Sequence, residues 1–368
     1  MLSLVGSLHI LLSNSRKHFM NLVTALDIFI GGLLIGGIYA LIAMGLSLQY
    51  GVARVLNVSH GEFIMLGAFG TWALYTSFNI NPLISLVIIG PIVFIAGFII
   101  HRTFFRHILT SIPVLGEIII LGALISWTIY ELLKVYHIGN PLTAIIIGIP
   151  IAVALDVFLR KTVFKRMGGS PPSQAVFEGS SLLVTFGFLY IIQNAAIIIW
   201  SSSTRGYTFL ATPVNLAGAV FATNRLVTLG FAVIIGIAFY IFLARSRSGK
   251  AIRAAAQDPI TAGLMGVNIN HVLAICFGLG AALAGMAGVL YSMSFSITAT
   301  MGLERTIIAI IVVVLGGLGS IPGSFIGGFL LGIIGEIVKH FEPSLALASY
   351  YVIFILLLML RPKGIMGK

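Results

Sequence analysis

Long apolar runs constrain this chain more than any other feature of its sequence. Each run is close to twenty residues long, which an α-helix with a rise of about 1.5 Å per residue needs to cross about 30 Å of hydrocarbon. Strands that span a membrane would instead show segments of about ten residues in polar–apolar alternation. We count eleven apolar segments, at about positions 25–50, 57–77, 83–100, 117–134, 141–160, 180–200, 226–244, 270–294, 305–320, 323–340 and 345–360. The sequence therefore predicts an all-α fold, a polytopic transmembrane helical bundle of roughly 8–11 apolar segments with broken or re-entrant helices.

The composition leaves lipid as the main solvent of the chain. Of the 368 residues, 59% are hydrophobic and 8% are charged, and Asp and Glu number only ten. A soluble domain carries roughly 25% charged residues. We therefore predict one transmembrane domain over residues 21–368, preceded by an interfacial segment at residues 1–20. A signal peptide is disfavoured there because Arg16 and Lys17 follow the first apolar stretch, whereas a signal peptide carries its positive charges before it.

The net charge of +11 comes from basic residues in short loops between apolar runs. This is the positive-inside pattern, which orients a chain in a membrane and does not indicate binding to nucleic acid. An even number of crossings separates each basic cluster from the next, so all four clusters and the C-terminus are predicted to be cytoplasmic. By the same count, the N-terminus is outside and Arg54 is inside. The clusters are Arg102 and Arg106; Arg160, Lys161, Lys165 and Arg166; Arg245, Arg247, Lys250 and Arg253; and Arg361, Lys363 and Lys368.

A polar cluster stands at the start of the second apolar segment. It consists of Asn57, Ser59, His60, Gly61 and Glu62. In one interpretation, Asn57 or Ser59 caps a helix and Glu62 occupies its first turn. In the other, the cluster is functional, since ionisable side chains beside an apolar span are costly and often mark a transport pathway. The sequence leaves both interpretations open.

A glycine-rich stretch interrupts the late apolar segments. Helix-weakening and helix-breaking residues are too dense between Leu315 and Gly323 for a continuous helix. A broken backbone at membrane depth is tolerated inside protein or beside a water-filled cavity. A helix break that lines a pathway and a tight turn at the membrane interface are both compatible with the pattern. The candidate residues are Gly316, Gly317, Gly319, Ser320 and Gly323.

The longest polar stretch between late spans is the loop at about 245–268. Its alanines favour short helices, and Asp258 before Pro259 is typical of a helix N-cap followed by proline in the first turn. A second short helix is then predicted to end at Gly266. A solvated connection and a docking surface for a cytoplasmic partner are the two interpretations, and the basicity of the loop favours docking. The candidate residues are Lys250, Arg253, Ala254, Ala255, Asp258, Pro259, Leu264, Gly266 and Val267.

Together, these stretches resemble the branched-chain amino acid permease family of ABC importers. The loop at 245–268 looks like the cytoplasmic coupling motif of that family. Further matching stretches follow one another along the chain at Tyr50-Gly51, Leu56–Phe63, Val314–Gly323 and Arg361–Gly367, with a weaker match at Arg160–Arg166 and Gln193-Asn194. This chain has two apolar segments more than the usual chain length of the family accommodates. Residues at about 84–150 are therefore predicted to be an inserted apolar region.

The resemblance implies a permease subunit that translocates branched-chain amino acids or related small polar solutes across the cytoplasmic membrane of a prokaryote. It implies a second permease subunit, identical or homologous, two cytoplasmic ATPase subunits and an extracytoplasmic substrate-binding protein, with membrane lipid around the chain. The loop would couple to the ATPase, and the polar cluster and glycine-rich stretch would border the pathway. No cofactor is expected in this chain, since ATP and Mg would bind to the ATPase subunits. In agreement, Gly249-Lys250 is followed by Ala251, which breaks the phosphate-binding loop pattern.

A stand-alone secondary carrier or channel is the alternative function. Carriers place ionisable relays within their spans. Here the candidates, Glu117, Glu131, Asp156 and Glu336, mostly lie near segment ends. A membrane-embedded enzyme is disfavoured because the sequence clusters no nucleophile, base or metal ligands. The sequence does not decide between branched-chain amino acids, urea and short amides as the substrate, because the binding protein often selects the substrate in such transporters.

Overall fold

The first apolar run forms the centre of the structure. The computed structural model describes residues 22–105, 174–216, 218–361 and 363–367. Helix α1 (Leu22–Ala53) is apolar around its whole circumference, which is typical of a helix that other helices surround, and residues 36–49 are all buried. The other α-helices are α2 (His60–Phe78), α3 (Pro82–Ile100), α4 (Gln174–Trp200), α5 (Thr223–Arg245), α6 (Arg247–Gln257), α7 (Pro259–Leu264), α8 (Ile269–Ser292), α9 (Met301–Gly316), α10 (Ile321–Phe341) and α11 (Ala346–Leu360).

The predicted all-α membrane bundle is confirmed. Nine of the eleven predicted apolar segments fall on these helices. The segments at 117–134 and 141–160, the N-terminal segment at 1–20, the stretch Arg160–Arg166 and residues 106–150 of the predicted insertion lie outside the described residues. Six described helices are long and apolar enough to cross a membrane, namely Val23–Ala53, Pro82–Thr103, Thr223–Arg245, Ile269–Ser292, Ile321–Phe341 and Pro343–Leu360.

A small β-hairpin is the element that the helical prediction missed. Strands β1 (Pro213–Leu216) and β2 (Ala219–Ala222) pair antiparallel, with Pro213 opposite Ala222. The turn closes because the Asn215 side chain accepts a hydrogen bond of 2.9 Å from the Gly218 amide. Gly218 has a φ of 95°, which glycine adopts without steric cost. The hairpin leads directly into α5.

Helices α1 and α10 pack with their backbones unusually close. A methyl group at Gly36 would come within 2.8 Å of the Phe329 Cα atom and 3.0 Å of the Gly328 carbonyl oxygen. In lipid the hydrophobic effect does not drive helices together, so small residues that allow such packing supply much of the association energy. Packing accordingly explains the glycines that this helix pair shares.

The basic helix ends collect at one end of the bundle, which we call the basic end. There the last turn of α1 contacts the α9–α10 turn, since the Cβ of a side chain on Gly51 would lie 3.1 Å from Gly319. Helix α6 packs on α1 and α5 at this end, and the end of α3 meets the start of α8, where the rings of Phe98 and His271 are 5.7 Å apart. Arg54, Arg102, Arg245 and Arg253 stand on or next to these elements, and Arg361 and Lys363 lie in the C-terminal tail that bonds to the α9–α10 turn. Their common location agrees with the prediction that the basic clusters lie together on one side of the membrane.

Candidate functional site: a buried polar centre and the basic end

The second helix begins inside the bundle. The His60 ring nitrogen Nε2 lies 3.0 Å from the Ile42 carbonyl oxygen. Ile42 stands about 16 Å along α1 from its end at Ala53, at a rise of about 1.5 Å per residue. The segment 54–59 therefore turns back beside α1, and α2 starts at depth. The sequence predicted a broken helix at Leu315–Gly323 and did not predict this turn at residues 54–59.

Side chains from two neighbouring helices hold this segment in place. Asn57 donates its side-chain amide to the Gln49 side-chain oxygen at 3.1 Å, and Gln49 in turn donates to the Phe277 carbonyl of α8 at 3.0 Å. All three side chains are buried. Buried amides are stable only when their donors and acceptors are paired, so these bonds fix the path of the segment between α1 and α8.

Two threonines satisfy the backbone where the segment joins α2. The Val58 amide donates to Thr185 Oγ1 of α4 at 3.2 Å. The Gly61 amide donates to Thr306 Oγ1 of α9 at 2.7 Å, and Thr306 Oγ1 also lies 3.0 Å from the Val58 carbonyl oxygen. These bonds supply partners to a helix start that would otherwise leave backbone groups unpaired in an apolar interior. We refer to Gln49, Asn57, Ser59, His60, Gly61, Glu62, Thr185 and Thr306 as the polar centre.

The capping interpretation of the cluster holds only in part. Ser59 occupies the N-cap position of α2, but its hydroxyl makes no bond to the helix. It donates to the Asn57 side-chain oxygen at 2.7 Å, and the Ser59 amide donates to the same oxygen at 3.1 Å. Asn57 therefore organises the turn before the helix, and Thr306 supplies the acceptor for the first turn.

Glu62 is the most exceptional member of the polar centre. Its side chain is fully buried, and neither carboxylate oxygen has a hydrogen-bond partner among the described residues. The carboxylate lies against Gly302 of α9, where a methyl group would overlap it. The helix dipole favours a negative charge in the first turn of α2. It does not replace the hydrogen bonds that a buried carboxyl group normally requires.

The glycine-rich stretch is a tight turn under the C-terminal residues. Helix α9 ends at Gly316, and Ser320 caps α10 by accepting a bond of 3.2 Å from the Gly323 amide. The amide of Ile365 donates to the Leu315 carbonyl at 2.9 Å, and the amide of Met366 donates to the Gly316 carbonyl at 3.0 Å. The tail thus satisfies carbonyl groups that the end of a helix leaves unpaired. The glycine-rich stretch and the C-terminal motif, which are far apart in the sequence, therefore contact each other in the structure.

Glycine is required at two positions of this turn. Gly317 has a φ of 104° and Gly319 a φ of 80°, both in the left-handed region. A methyl group on Gly317 would also overlap the backbone of Gly367. Gly319 and Ser320 line a cavity of about 500 Å³ that Arg253 of α6 also lines. The structure therefore brings the turn close to the loop at 245–268, and none of residues 57–62 lines this cavity.

The loop at 245–268 folds into the two predicted short helices. Asp258 ends α6 and caps α7, accepting bonds from the amides of Ile260 at 2.9 Å and Thr261 at 3.2 Å. Its carboxylate also accepts a hydrogen bond from the Thr261 hydroxyl. These hydrogen bonds hold the pKa of Asp258 below its usual range. Gly266 ends the unit with a φ of 87°, and the Val267 amide returns to the Ala262 carbonyl at 3.0 Å. This closure is typical of a glycine-terminated helix.

The two short helices differ in what they expose. In α6, Ile252 and Ala255 are buried against the bundle, whereas Lys250 and Arg253 face outward and Ala254 is half-buried. The Arg253 guanidinium donates to the Leu243 carbonyl at the end of α5. Around α7, three large apolar side chains are more than three-quarters exposed, namely Ile260, Leu264 and Met265. We call these three residues the apolar patch. Exposed apolar clusters commonly mark interaction sites.

Several members of the site were not singled out from the sequence. Gln49, Thr185 and Thr306 complete the polar centre, and Ile260 and Met265 complete the apolar patch. A glutamine within an apolar run was a usable signal, because burying an amide is costly unless it is paired. The threonines carried little signal, since a threonine in a helix commonly bonds to its own backbone. Among the described residues, no three His, Cys, Asp or Glu side chains are grouped as metal ligands.

Apolar helices around a buried polar centre, with an apolar patch exposed at a basic end, define a multi-pass membrane transport protein. The chain matches the family described as the branched-chain amino acid transport system / permease component over residues 28–361, and it belongs to that family. Family membership makes it a permease component and not an enzyme.

Relatives match over nearly the whole chain. The high-affinity branched-chain amino acid transport system permease protein BraD of Pseudomonas aeruginosa is 29% identical over 348 residues, covering 92% of this chain and 94% of the relative. The protein LivH of Salmonella typhimurium, of the same description, is 30% identical over 341 residues with the same coverage. The fructose import permease protein FruG of Bifidobacterium longum is 22% identical over 248 residues, covering 63% of this chain and 70% of the relative. No solved structure matches the chain.

Proposed function

We propose that this chain is one of two permease subunits in an ABC importer for branched-chain amino acids. Two cytoplasmic ATPase subunits drive the cycle, and an extracytoplasmic binding protein delivers the substrate. The basic end, with the C-terminus, faces the cytoplasm of a prokaryotic cell, in keeping with the positive-inside rule. The observation that carries the proposal is the apolar patch. A soluble partner at this end is needed to cover Ile260, Leu264 and Met265, which project from a rigidly capped helix.

The coupling residues have distinct tasks in this proposal. Ala255 and Ile252 attach α6 to the bundle. Asp258, Pro259 and Gly266 set the start and the end of α7. Leu264 enters a groove of the ATPase, while Lys250 and Arg253 stand at the basic rim of the interface. Ala254 and Val267 complete the connections on either side. Apolar anchors in the middle with charges at the rim are the usual anatomy of a protein–protein interface.

The test replaces the anchors with charges. In vesicles that contain both permease subunits, the ATPase and the binding protein, Leu264→Glu and Met265→Glu should each abolish substrate-stimulated ATP hydrolysis. A buried unpaired charge in the interface costs several kcal/mol. Gln257→Glu, on an exposed residue at the end of α6, is the matched control and should retain stimulation. Normal stimulation in both anchor variants would remove the coupling role from α7.

The polar centre is our proposal for the wall of the translocation pathway. Asn57, Ser59, His60, Gly61 and Glu62 concentrate polar groups at depth, and Glu62 has unused hydrogen-bonding capacity. Ionisable groups at such depth are functional candidates by default. In the glycine-rich stretch, helix packing accounts for Gly316 and Gly323, and the left-handed turn beside the C-terminal tail accounts for Gly317. A pathway role there therefore rests on Gly319 and Ser320, which line the cavity at the basic end.

Glu62→Gln separates a pathway role from a structural one. A role limited to the helix dipole predicts a stability loss of about 1 kcal/mol or less with near-normal uptake. A pathway role predicts impaired uptake of labelled substrate with an unchanged thermal midpoint. Uptake equal to that of the unmodified transporter would take Glu62 out of the pathway.

The substrate is proposed from the names of the relatives. Leucine, isoleucine and valine are the expected substrates, and urea, short amides and fructose are the competitors to exclude. Labelled leucine should accumulate in vesicles with the cognate binding protein, and excess valine should displace it. Displacement by urea, acetamide or fructose but not by valine would reassign the substrate without affecting the importer class.

A further inference from the structure

A continuous groove runs along the surface of the bundle toward the basic end. Its deeper part is a cavity of about 190 Å³ between α1, α5 and α10, and its outer part is the cavity of about 500 Å³ that reaches α6 and the α9–α10 turn. Tyr240 and Pro322 stand in the walls of both cavities, so the two adjoin. We call them together the basic-end groove.

The deeper part of the groove is apolar. Gly236, Phe325 and Ile326 form much of its wall. Gly236 stands about 13 Å along α5 from the end of that helix at Arg245, which places this part in the hydrocarbon region. Ile237 is half-exposed and Ile326 is 41% exposed, so the groove opens sideways from the bundle. A solute from water would have to cross lipid to enter it there, whereas an acyl chain is already in place.

The outer part of the groove is cationic and has spare hydrogen-bonding capacity. Arg253 stands in its wall, held by the bond to the Leu243 carbonyl. A guanidinium group has five N–H donors, so donors remain for a phosphate oxygen. Ser47 lines the same cavity, and its buried hydroxyl has no hydrogen-bond partner among the described residues.

Basic residues predominate at the outer end of the groove. Arg253 stands in its wall, Arg245, Arg247 and Lys250 lie on the same stretch of α5 and α6, and the next acidic residue along the chain, Asp258, is engaged as the cap of α7. Basic pockets between membrane helices bind anionic headgroups, and each nearby Lys or Arg contributes about 1 kcal/mol. The groove is apolar in its deeper part and cationic in its outer part at the membrane surface. It therefore matches a molecule with one apolar and one anionic end.

We propose that the basic-end groove binds one anionic phospholipid, with an acyl chain against Gly236, Phe325 and Ile326 and the phosphate at Arg253. The lipid belongs to the leaflet that borders the basic end. Because α6 forms one wall of the groove, the bound lipid braces the short helices that carry the apolar patch. Residues 57–62 line neither part of the groove, and lipid binding there does not require a particular transported solute.

The binding test uses the purified full-length chain in neutral detergent, with lipid binding measured by native mass spectrometry. Phosphatidylglycerol should bind at one site, at least about fivefold more tightly than phosphatidylcholine. Arg253→Gln should weaken phosphatidylglycerol binding about fivefold, because one headgroup cation is lost. Arg102→Gln removes the same charge at the basic end but outside the groove, and it should leave the affinity within about twofold of the original.

A second pair of variants tests the apolar half of the groove. Ile326→Trp should fill the slot and remove the bound phosphatidylglycerol, whereas Ile355→Trp, at an exposed position of α11 away from the groove, should retain it. Equal binding of the two lipids, or equal effects of Arg253→Gln and Arg102→Gln, would overturn the proposal. Displacement by glycerol phosphate at millimolar concentration would assign the mouth to a soluble anion. Displacement by leucine would assign the groove to the transport pathway, and either result would overturn the lipid site.

Discussion

Helices α2 and α7 begin with similar sequence signals but obtain their hydrogen bonds in opposite ways. At α7, Asp258 caps its own helix through amides two and three residues ahead, and the side chain is exposed. At α2, the hydroxyl in the N-cap position makes no bond to the helix, and the first-turn amide of Gly61 bonds to Thr306, 245 positions away. Water and local side chains suffice at the exposed start. At the buried start only other helices supply partners, because lipid offers none.

The largest effect on stability should come from adding a side chain where the backbones of α2 and α9 are in contact. Gly61→Ala places a methyl group onto the Gly302 carbonyl oxygen, where backbone faces backbone and neither side yields easily. We expect a loss of roughly 3 kcal/mol or more, or failure to fold, as for an overpacked core. Detergent-solubilised yield and thermal midpoint are the measurements. Gly230→Ala in α5, where the described residues place no heavy atom of another helix within 4 Å of the new methyl group, should fold normally. A normal midpoint for Gly61→Ala would mean that the polar centre is more loosely packed than described.

An intermediate effect should come from removing one acceptor of the polar centre. Thr306→Val keeps the shape of the side chain but leaves the Gly61 amide without its acceptor, at a cost of about 1–3 kcal/mol. Thr306→Ser keeps the hydroxyl and should lose much less. The comparison of the two thermal midpoints isolates the hydrogen bond. Equal losses would assign the effect to the threonine methyl group and weaken the contrast between the two helix starts.

The smallest effect on stability should come from the exposed cap. Asp258→Ala removes the acceptor for two amides of α7 and should cost about 1 kcal/mol of local stability, whereas Asp258→Asn should recover most of it. Because α7 stands outside the bundle, the global thermal midpoint should hardly change. Hydrogen exchange of the Ile260 and Thr261 amides is the sensitive measurement. A large drop in the global midpoint would show that the exposed cap is as strongly tied to the bundle as the buried one.

The difference between local hydrogen bonds, as at α7, and long-range hydrogen bonds, as at α2, also explains which predictions from the sequence succeeded. The cap at Asp258 and the end at Gly266 both depend on residues within a few positions of one another. Of the two residues offered as a cap for α2, Ser59 bonds to no amide of the helix, because its hydroxyl donates a hydrogen bond to the Asn57 side-chain oxygen. The predicted cavity shared by the polar centre and the glycine-rich stretch stays a prediction. What the structure places beside the glycine-rich stretch is the C-terminal tail and α6.

The sequence by itself determined that this chain is a bundle of membrane helices, which described stretches are apolar helices, and where α7 begins and ends at the basic end. These properties follow from apolar run length and from hydrogen bonds within one or two turns. The tertiary structure decided which polar groups meet, how the tail covers the α9–α10 turn, and that a groove opens beside α6. Those contacts join residues as far apart as Val58 and Thr306, 248 positions apart. Their formation depends on how whole helices pack, and a helical repeat of apolar residues carries little information about which neighbour each face will meet.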